Sequence, residues 1–319
     1  MARIVLLDPA APERLDRIRP YLPDGWTLHT ATSRASEDQL EALSEAEFAI
    51  TGDAPVDARM MAVPGLRAVH KWGVGYDNID IDAARASGVR VLRTTGSNAV
   101  AVAETTLGLI LALGRNLVRG HAGIAAGAWA KGELAPSSMT LSGRTVGIVG
   151  LGYIGAALAR LLVGFGCDVL YTKRTPIPEA EAAALGVRYA PLDVLLSEAD
   201  VVTLNCELND STRNLIDRAA LDAMKPGALL VNVARGGVLV EADLAEAIRS
   251  GHLAGAAIDV FAEEPIRPDN PLIGLDRVIL TPHIGAVSAT SFSTSITRIM
   301  RNLNAIATGT PPQEIDVLV

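Results

Sequence analysis

The sequence predicts an α/β protein built of two parallel sheets in series, each doubly wound with helices on both faces. Three observations lead there. Strand-like runs alternate with helical segments along all 319 residues. The runs are continuous in Val, Ile and Leu instead of alternating with polar residues. One of them enters a glycine-rich turn, Gly150-Leu151-Gly152-Tyr153-Ile154-Gly155, that opens a helix. A strand covered on one face alternates apolar with polar side chains; one covered on both is apolar throughout, as parallel strands under helices are.

In chain order the first strands are "RIVLLD" (3–8), "FAIT" (48–51), "RAVHKW" (67–72) and "VRVLRT" (89–94), separated by segments of helical spacing. A long helix pattern follows from about Val100 to Arg119. The second series is "RTVGIVG" (144–150), "DVLYT" (168–172), "DVVTLN" (200–205), "ALLVNVA" (228–234), "GAAIDVF" (255–261) and "RVILTP" (277–282). The break between the sheets falls near Ser97-Asn98. The last stretch, Val287 to Val319, reads as one helix with a Gly-Thr-Pro-Pro tail, too short for a domain, so it packs on one of the two.

Composition narrows the function classes. With 49% hydrophobic and 20% charged residues the chain is globular, and its net charge of −8 argues against nucleic acid as partner. The two cysteines, Cys167 and Cys206, lie far apart with no Cys/His cluster, so neither a disulfide framework nor a metal site is expected. The opening "MARIVLLDPA" lacks the apolar core of a signal peptide, and no run is long and apolar enough to span a bilayer. A cytoplasmic protein without a membrane partner is the expectation.

"TVGIVGLGYIGAALARLL" combines a strand, G-x-G-x-x-G and a helix with small residues on its inner face. Gly150 permits the tight turn, Gly152 lets the backbone approach a pyrophosphate, and Gly155 allows close helix–strand packing. The phosphates gain from the N–H groups and positive dipole end of the helix, at Tyr153 and Ile154. The next strand ends in Lys173, Arg174 and Thr175. In such units an acidic residue there receives the ribose hydroxyls, and its carboxylate repels a 2′-phosphate. Two cations and a hydroxyl favour that phosphate instead, so the expected cofactor is NADP, with NAD the alternative.

With the glycine turn, "VNVARGGVL" (231–239), "AAIDVFAEEP" (256–265) and "LTPHIG" (280–285) resemble the D-isomer-specific 2-hydroxyacid dehydrogenases. "KWGVGYDNIDIDAA" (71–84) and "NAVAVAETTLGLILAL" (98–113) extend the likeness from about Leu66 to Gly285. The resemblance implies a Rossmann cofactor domain at 98–284 and a flavodoxin-like substrate domain of 1–97 with 285–319. It implies an active site in the cleft between them, closing on substrate. Arg235 matches the substrate-binding arginine, whose fork suits a carboxylate. His283 matches the acid/base and Glu264 the carboxylate that orients it. Asp259 matches a position near the nicotinamide, and Cys206, Val233 and Gly285 others along the cofactor.

The resemblance also gives Gly73, Val74 and Gly75, successive N–H donors around a tight turn, the substrate carboxylate, with Lys71 adding charge. The implied activity is hydride transfer between the cofactor and a small 2-keto or 2-hydroxy acid such as glyoxylate or hydroxypyruvate. "AITGDAP" (49–55) carries no arginine for a second anion, which disfavours phosphoglycerate. Glu264 stands where formate dehydrogenases carry glutamine, so that branch is disfavoured too. Phosphoglycerate or phosphite oxidation remains an alternative, as does an NAD(H)-sensing corepressor-like binding protein. The departures are Glu207 in place of a common proline and "IGAVS" after His283. No regulatory extension is expected. A homodimer is implied through the long helix and arm, about Val100 to Gly143, anchored by Trp129 and Leu134.

Overall fold

The computed structural model describes residues 2–319 and divides into two compact units. One comprises the chain up to Asn98 together with Ser288–Val319; the other is Ala99–Val287.

The first unit carries β1 (Arg3–Leu6), β2 (Thr27–Thr30), β3 (Phe48–Thr51), β4 (Ala68–Lys71) and β5 (Arg90–Leu92). All are parallel, in the order β2-β1-β3-β4-β5, which is the flavodoxin-like winding. Alternate residues feed two cores. Val5, Ala49, Val69 and Val91 pack on one face. Ile4, Leu6, Phe48, Ile50, Ala68 and Leu92 pack on the other, against Ile296, Ile299, Met300 and Leu303 of the helix Ala289–Ala307. The C-terminal helix therefore belongs to this unit.

The second unit carries β6 (Thr145–Val149), β7 (Asp168–Thr172), β8 (Val187–Tyr189), β9 (Val201–Leu204), β10 (Leu229–Asn232), β11 (Gly255–Ile258) and β12 (Val278–Leu280). Their order, β12-β11-β10-β9-β6-β7-β8, is a parallel Rossmann winding. The chain adds strands outward on one side of β6, then returns to its other side, so the switch point lies between β6 and β9. Again both faces are buried: Val146, Ile148 and Val231 face one core, Val202, Leu230 and Ile258 the other.

Two strands, β2 and β8, were absent from the sequence reading. Both are sheet edges, and their burial is partial: in "TLHT" only Leu28 is buried, in "VRY" only Val187. These two edge strands lack the continuous apolar run that marks the others. The long helix expected over 100–119 is also corrected. It runs Ala99–Gly114, breaks, and resumes at 62° as Leu117–Ala125. Asn116 sits at the break with φ 53°, a left-handed conformation that Asn tolerates better than most side chains. Its Nδ2 donates to the hydroxyls of Ser137 and Ser138, each at 3.1 Å, which holds the bend.

Candidate active site

In a parallel sheet every strand ends at the same edge, and this places the expected residues of the second unit together. Gly150–Gly155 follows β6, Lys173 follows β7 and Cys206 lies just past β9. Val233 and Arg235 follow β10, Asp259 follows β11, and His283 and Gly285 follow β12. The carboxyl edge around a switch point is where open α/β sheets bind ligands.

The glycine turn is closed to side chains at both ends and open at its middle. A Cβ on Gly150, whose φ is 101°, would lie 2.5 Å from Cys206 N, and one on Gly155 would lie 2.4 Å from Gly150 O. Neither position accepts a side chain. A Cβ on Gly152 would meet nothing within 4 Å, so the space over the turn is open. The helix Tyr153–Gly164 starts there without a side-chain cap, and its first-turn N–H groups are available to an anion. Cys206 contributes backbone to this packing; burial pushes its thiol up to about 11, so it is not a nucleophile near neutral pH. Val233 is buried.

At the end of β7, Lys173 Nζ donates to Leu151 O at 3.3 Å, tying the strand end to the glycine turn. Arg174 and Thr175 are exposed. Among the described residues neither Lys173 nor Arg174 enters an ion pair.

On the other side of the switch point, His283 and Glu264 meet. His283 Nδ1 lies 2.7 Å from Glu264 Oε2, and Glu264 Oε1 accepts from Phe261 N at 2.9 Å. Burial alone would raise the Glu264 carboxyl. The bonds from His283 and Phe261 N–H and the charges of His283 and Arg235 outweigh it and hold the group below its usual range. The carboxylate on Nδ1 fixes the orientation of the ring.

The backbone of His283 is left-handed, φ 53°, and Asp259 holds it there. Asp259 O accepts from His283 N at 2.8 Å. Its Oδ1 accepts from Thr281 Oγ1 at 2.6 Å and Ile284 N at 2.9 Å, and Oδ2 from Gly285 N at 2.8 Å. The buried Asp259 is thus the anchor of the histidine turn, a duty the sequence reading did not assign to it. Gly285 is needed for the approach, since a Cβ there would sit 2.9 Å from Asp259 Oδ2.

Arg235 owes its place to Gly236, which sequence reasoning passed over. A Cβ on Gly236 would fall 1.8 Å from Phe261 C and 2.0 Å from Phe261 O. The loop after β10 therefore lies directly on the loop after β11, which brings the Arg235 charge to bear on Glu264. The first glycine of "ARGG" was the available signal.

In the first unit, Gly73, Val74 and Gly75 follow β4 and are partly exposed. Lys71 departs from expectation. It is 5% exposed, and its Nζ bonds Gly52 O and, at 2.9 Å, Asn78 Oδ1. Asn78 Nδ2 in turn donates to Ala54 O at 2.7 Å. The ammonium ties together the loops after β3 and β4. Of the two expected anchors on the arm, Trp129 is 81% exposed and Leu134 is half-buried. Among the described residues no group of three His, Cys, Asp or Glu side chains is placed to hold a metal ion, and no single helix is long and apolar enough to cross a membrane.

Residues 107–285 match the family described as D-isomer specific 2-hydroxyacid dehydrogenase, NAD binding domain. The chain is 41% identical to D-3-phosphoglycerate dehydrogenase of Mycobacterium leprae over 78% of its own length and 47% of the relative's. It thus spans about half the length of the phosphoglycerate dehydrogenases it matches. It is 40% identical to glyoxylate reductase of Thermococcus onnurineus over 81% of this chain and 78% of that one. Among solved structures, the TT0316 protein of Thermus thermophilus superposes with a TM-score of 0.88 at 35% identity, covering 99% of this chain and 100% of that one. The chain belongs to the D-isomer-specific 2-hydroxyacid dehydrogenase family.

Proposed function

We propose that the protein is an NADP(H)-dependent oxidoreductase that interconverts a small 2-keto acid, such as glyoxylate or hydroxypyruvate, and the corresponding 2-hydroxy acid. The observation that carries the reading is the 2.7 Å pair of His283 and Glu264, with the Arg235 charge acting on the same carboxylate. A nicotinamide cofactor held at Gly150–Gly155 would supply the hydride chemistry at substrate C2. His283 Nε2 gives a proton to the C2 oxygen in reduction and takes it back in oxidation. Glu264 keeps the ring oriented and offsets its charge while it is protonated. The Arg235 guanidinium binds the carboxylate with its fork and draws electron density onto the reacting oxygen.

Gly150–Gly155 hold the pyrophosphate, with Cys206, Val233 and Gly285 lining the cofactor. Gly73, Val74 and Gly75 receive the substrate carboxylate through backbone N–H groups. Lys173, Arg174 and Thr175 receive a 2′-phosphate, which supports NADP(H) over NAD(H). The loop after β3, with Asp53 and no arginine, argues for an unphosphorylated acid.

A homodimer is part of the proposal: Leu117, Val118, Ile124 and Trp129 are 58%, 49%, 58% and 81% exposed on one arm, an apolar run that suits a second copy. Light scattering at micromolar protein tests it, a monomer being the contrary result. The activity is tested with a panel of glyoxylate, hydroxypyruvate, pyruvate and 3-phosphoglycerate against both cofactors. NADH used as efficiently as NADPH would overturn the cofactor assignment, and no turnover with any 2-keto acid the activity.

A further inference from the structure

The loop after β4 is held by its carbonyls. Lys71 O accepts from His70 Nδ1 at 2.9 Å, while Trp72 N, in the same peptide plane, donates the opposite way to Thr51 O at 2.7 Å. Gly73 O accepts from Thr94 N at 3.0 Å and Thr94 Oγ1 at 3.2 Å. Val74 O accepts from Arg93 Nη1 at 3.2 Å. In a trans peptide the C=O and N–H point in opposite directions. Donors that fix the Gly73 and Val74 carbonyls therefore aim the N–H groups of Val74 and Gly75 away from β5. Among the described residues, no acceptor meets either N–H.

The donors are themselves fixed. His70 is fully buried, and its Nε2 accepts from Asn302 Nδ2 at 3.1 Å, which places its proton on Nδ1 toward Lys71 O. Asn302 is oriented by Asp316 Oδ2, which its Nδ2 reaches at 2.8 Å, and by Gln313 N, which donates to its Oδ1 at 3.2 Å. Arg298 clamps Asp316 with two bonds of 2.6 Å. Asp316 also accepts from Arg93 N at 2.9 Å through its carbonyl and from Thr95 N at 2.9 Å through Oδ1.

We infer that Arg93, Thr94 and His70 are positioning residues that pre-aim the Val74 and Gly75 amides at the substrate carboxylate, and that the C-terminal segment around Asp316 sets them. Pre-aimed donors lose little freedom when the anion arrives, so the effect falls on substrate binding. This rests on the reading of Gly73–Gly75 as the carboxylate site.

The test is Arg93→Met, which removes the donor to Val74 O and keeps the apolar stem. We expect the KM for glyoxylate to rise on the order of tenfold, the worth of one hydrogen bond. Turnover, NADPH affinity and thermal midpoint stay close to the parent, and Arg93→Lys restores most of the KM. His70→Gln, which can still donate to Lys71 O, gives a smaller rise. Oxamate binding to the NADPH complex, measured by calorimetry, follows the same order. A KM and an oxamate affinity within twofold of the parent in Arg93→Met overturn the inference, as does a uniform loss of turnover and NADPH binding. A parent that binds oxamate without turning over any 2-keto acid refutes the proposed activity but leaves the loop tested; a parent that binds no oxamate refutes the inference.

Discussion

Acidification from pH 7 to pH 5 is expected to weaken the first unit through one residue, His70. The imidazole is fully buried, and burial lowers it from about 6.5 to about 4; the Lys71 carbonyl and the Asp316 charge offset this only in part, and Arg298 adds to it. A group lowered on folding contributes stability above its unfolded value that is lost as pH falls toward the folded one. The unfolded chain binds a proton below about pH 6.5 that the folded protein refuses until about pH 4. Integrating between those values gives a loss of about 2 kcal/mol by pH 5, rising to about 3 kcal/mol near pH 4. Urea unfolding followed by tryptophan fluorescence reads this unit. Trp26 stacks on Phe48 at 5.2 Å and Trp72 is half-buried, whereas Trp129 of the other unit is 81% exposed and changes little. His70→Gln serves as the control, since it cannot titrate while His29, lowered by its own burial and by Arg3, titrates in both proteins. The parent should lose about 2 kcal/mol more than the variant between pH 7 and 5. Parallel losses would show that His70 does not carry the effect.

Asp316→Asn should cost about 3–5 kcal/mol in the same assay, because it strips Arg298 of a buried partner. Burial opposes ionisation of Asp316, but Arg298, Asn302 and Thr95 N–H hold its carboxyl below the usual range; its contribution is therefore full above about pH 4 and fades only as pH falls through that lowered value. Gly236→Ala puts a methyl into the Phe261 backbone, which no rotamer change relieves, and should destabilise the second unit by about 1–3 kcal/mol or more while lowering turnover. An alanine variant matching the parent in melting and rate would contradict that packing. His283→Ala should reduce turnover by about 10² to 10⁴ with NADPH affinity retained, and a rate within a few-fold of the parent would remove the residue from the proton step.

Much of this protein is readable along the chain because local physics dictates it. Strands such as "GIVG" and "LLVN" announce burial on both faces by their composition, and the glycine turn announces its cradle because only glycine fits at Gly150 and Gly155. The charge at Lys173 and Arg174 is likewise a local fact. The edge strands β2 and β8 were silent, since half-solvated segments carry no continuous apolar signal. The break at Asn116 was silent too, because its cause is a set of bonds to Ser137 and Ser138 some twenty residues away.

What only the tertiary structure decided is how side chains distant in sequence share their polar partners. Lys71 reads as a charge for the substrate, yet folding buries it among Gly52 and Asn78. Asp259 reads as a cofactor contact, yet both its oxygens hold the turn that carries His283. His70 and Asn302 lie 232 positions apart and meet at 3.1 Å in the core. A buried polar group must find a partner wherever the chain brings one within about 3 Å. Composition and spacing determine which segments form strands and turns; which donor meets which acceptor depends on the packing of elements against one another, and that is written only in three dimensions.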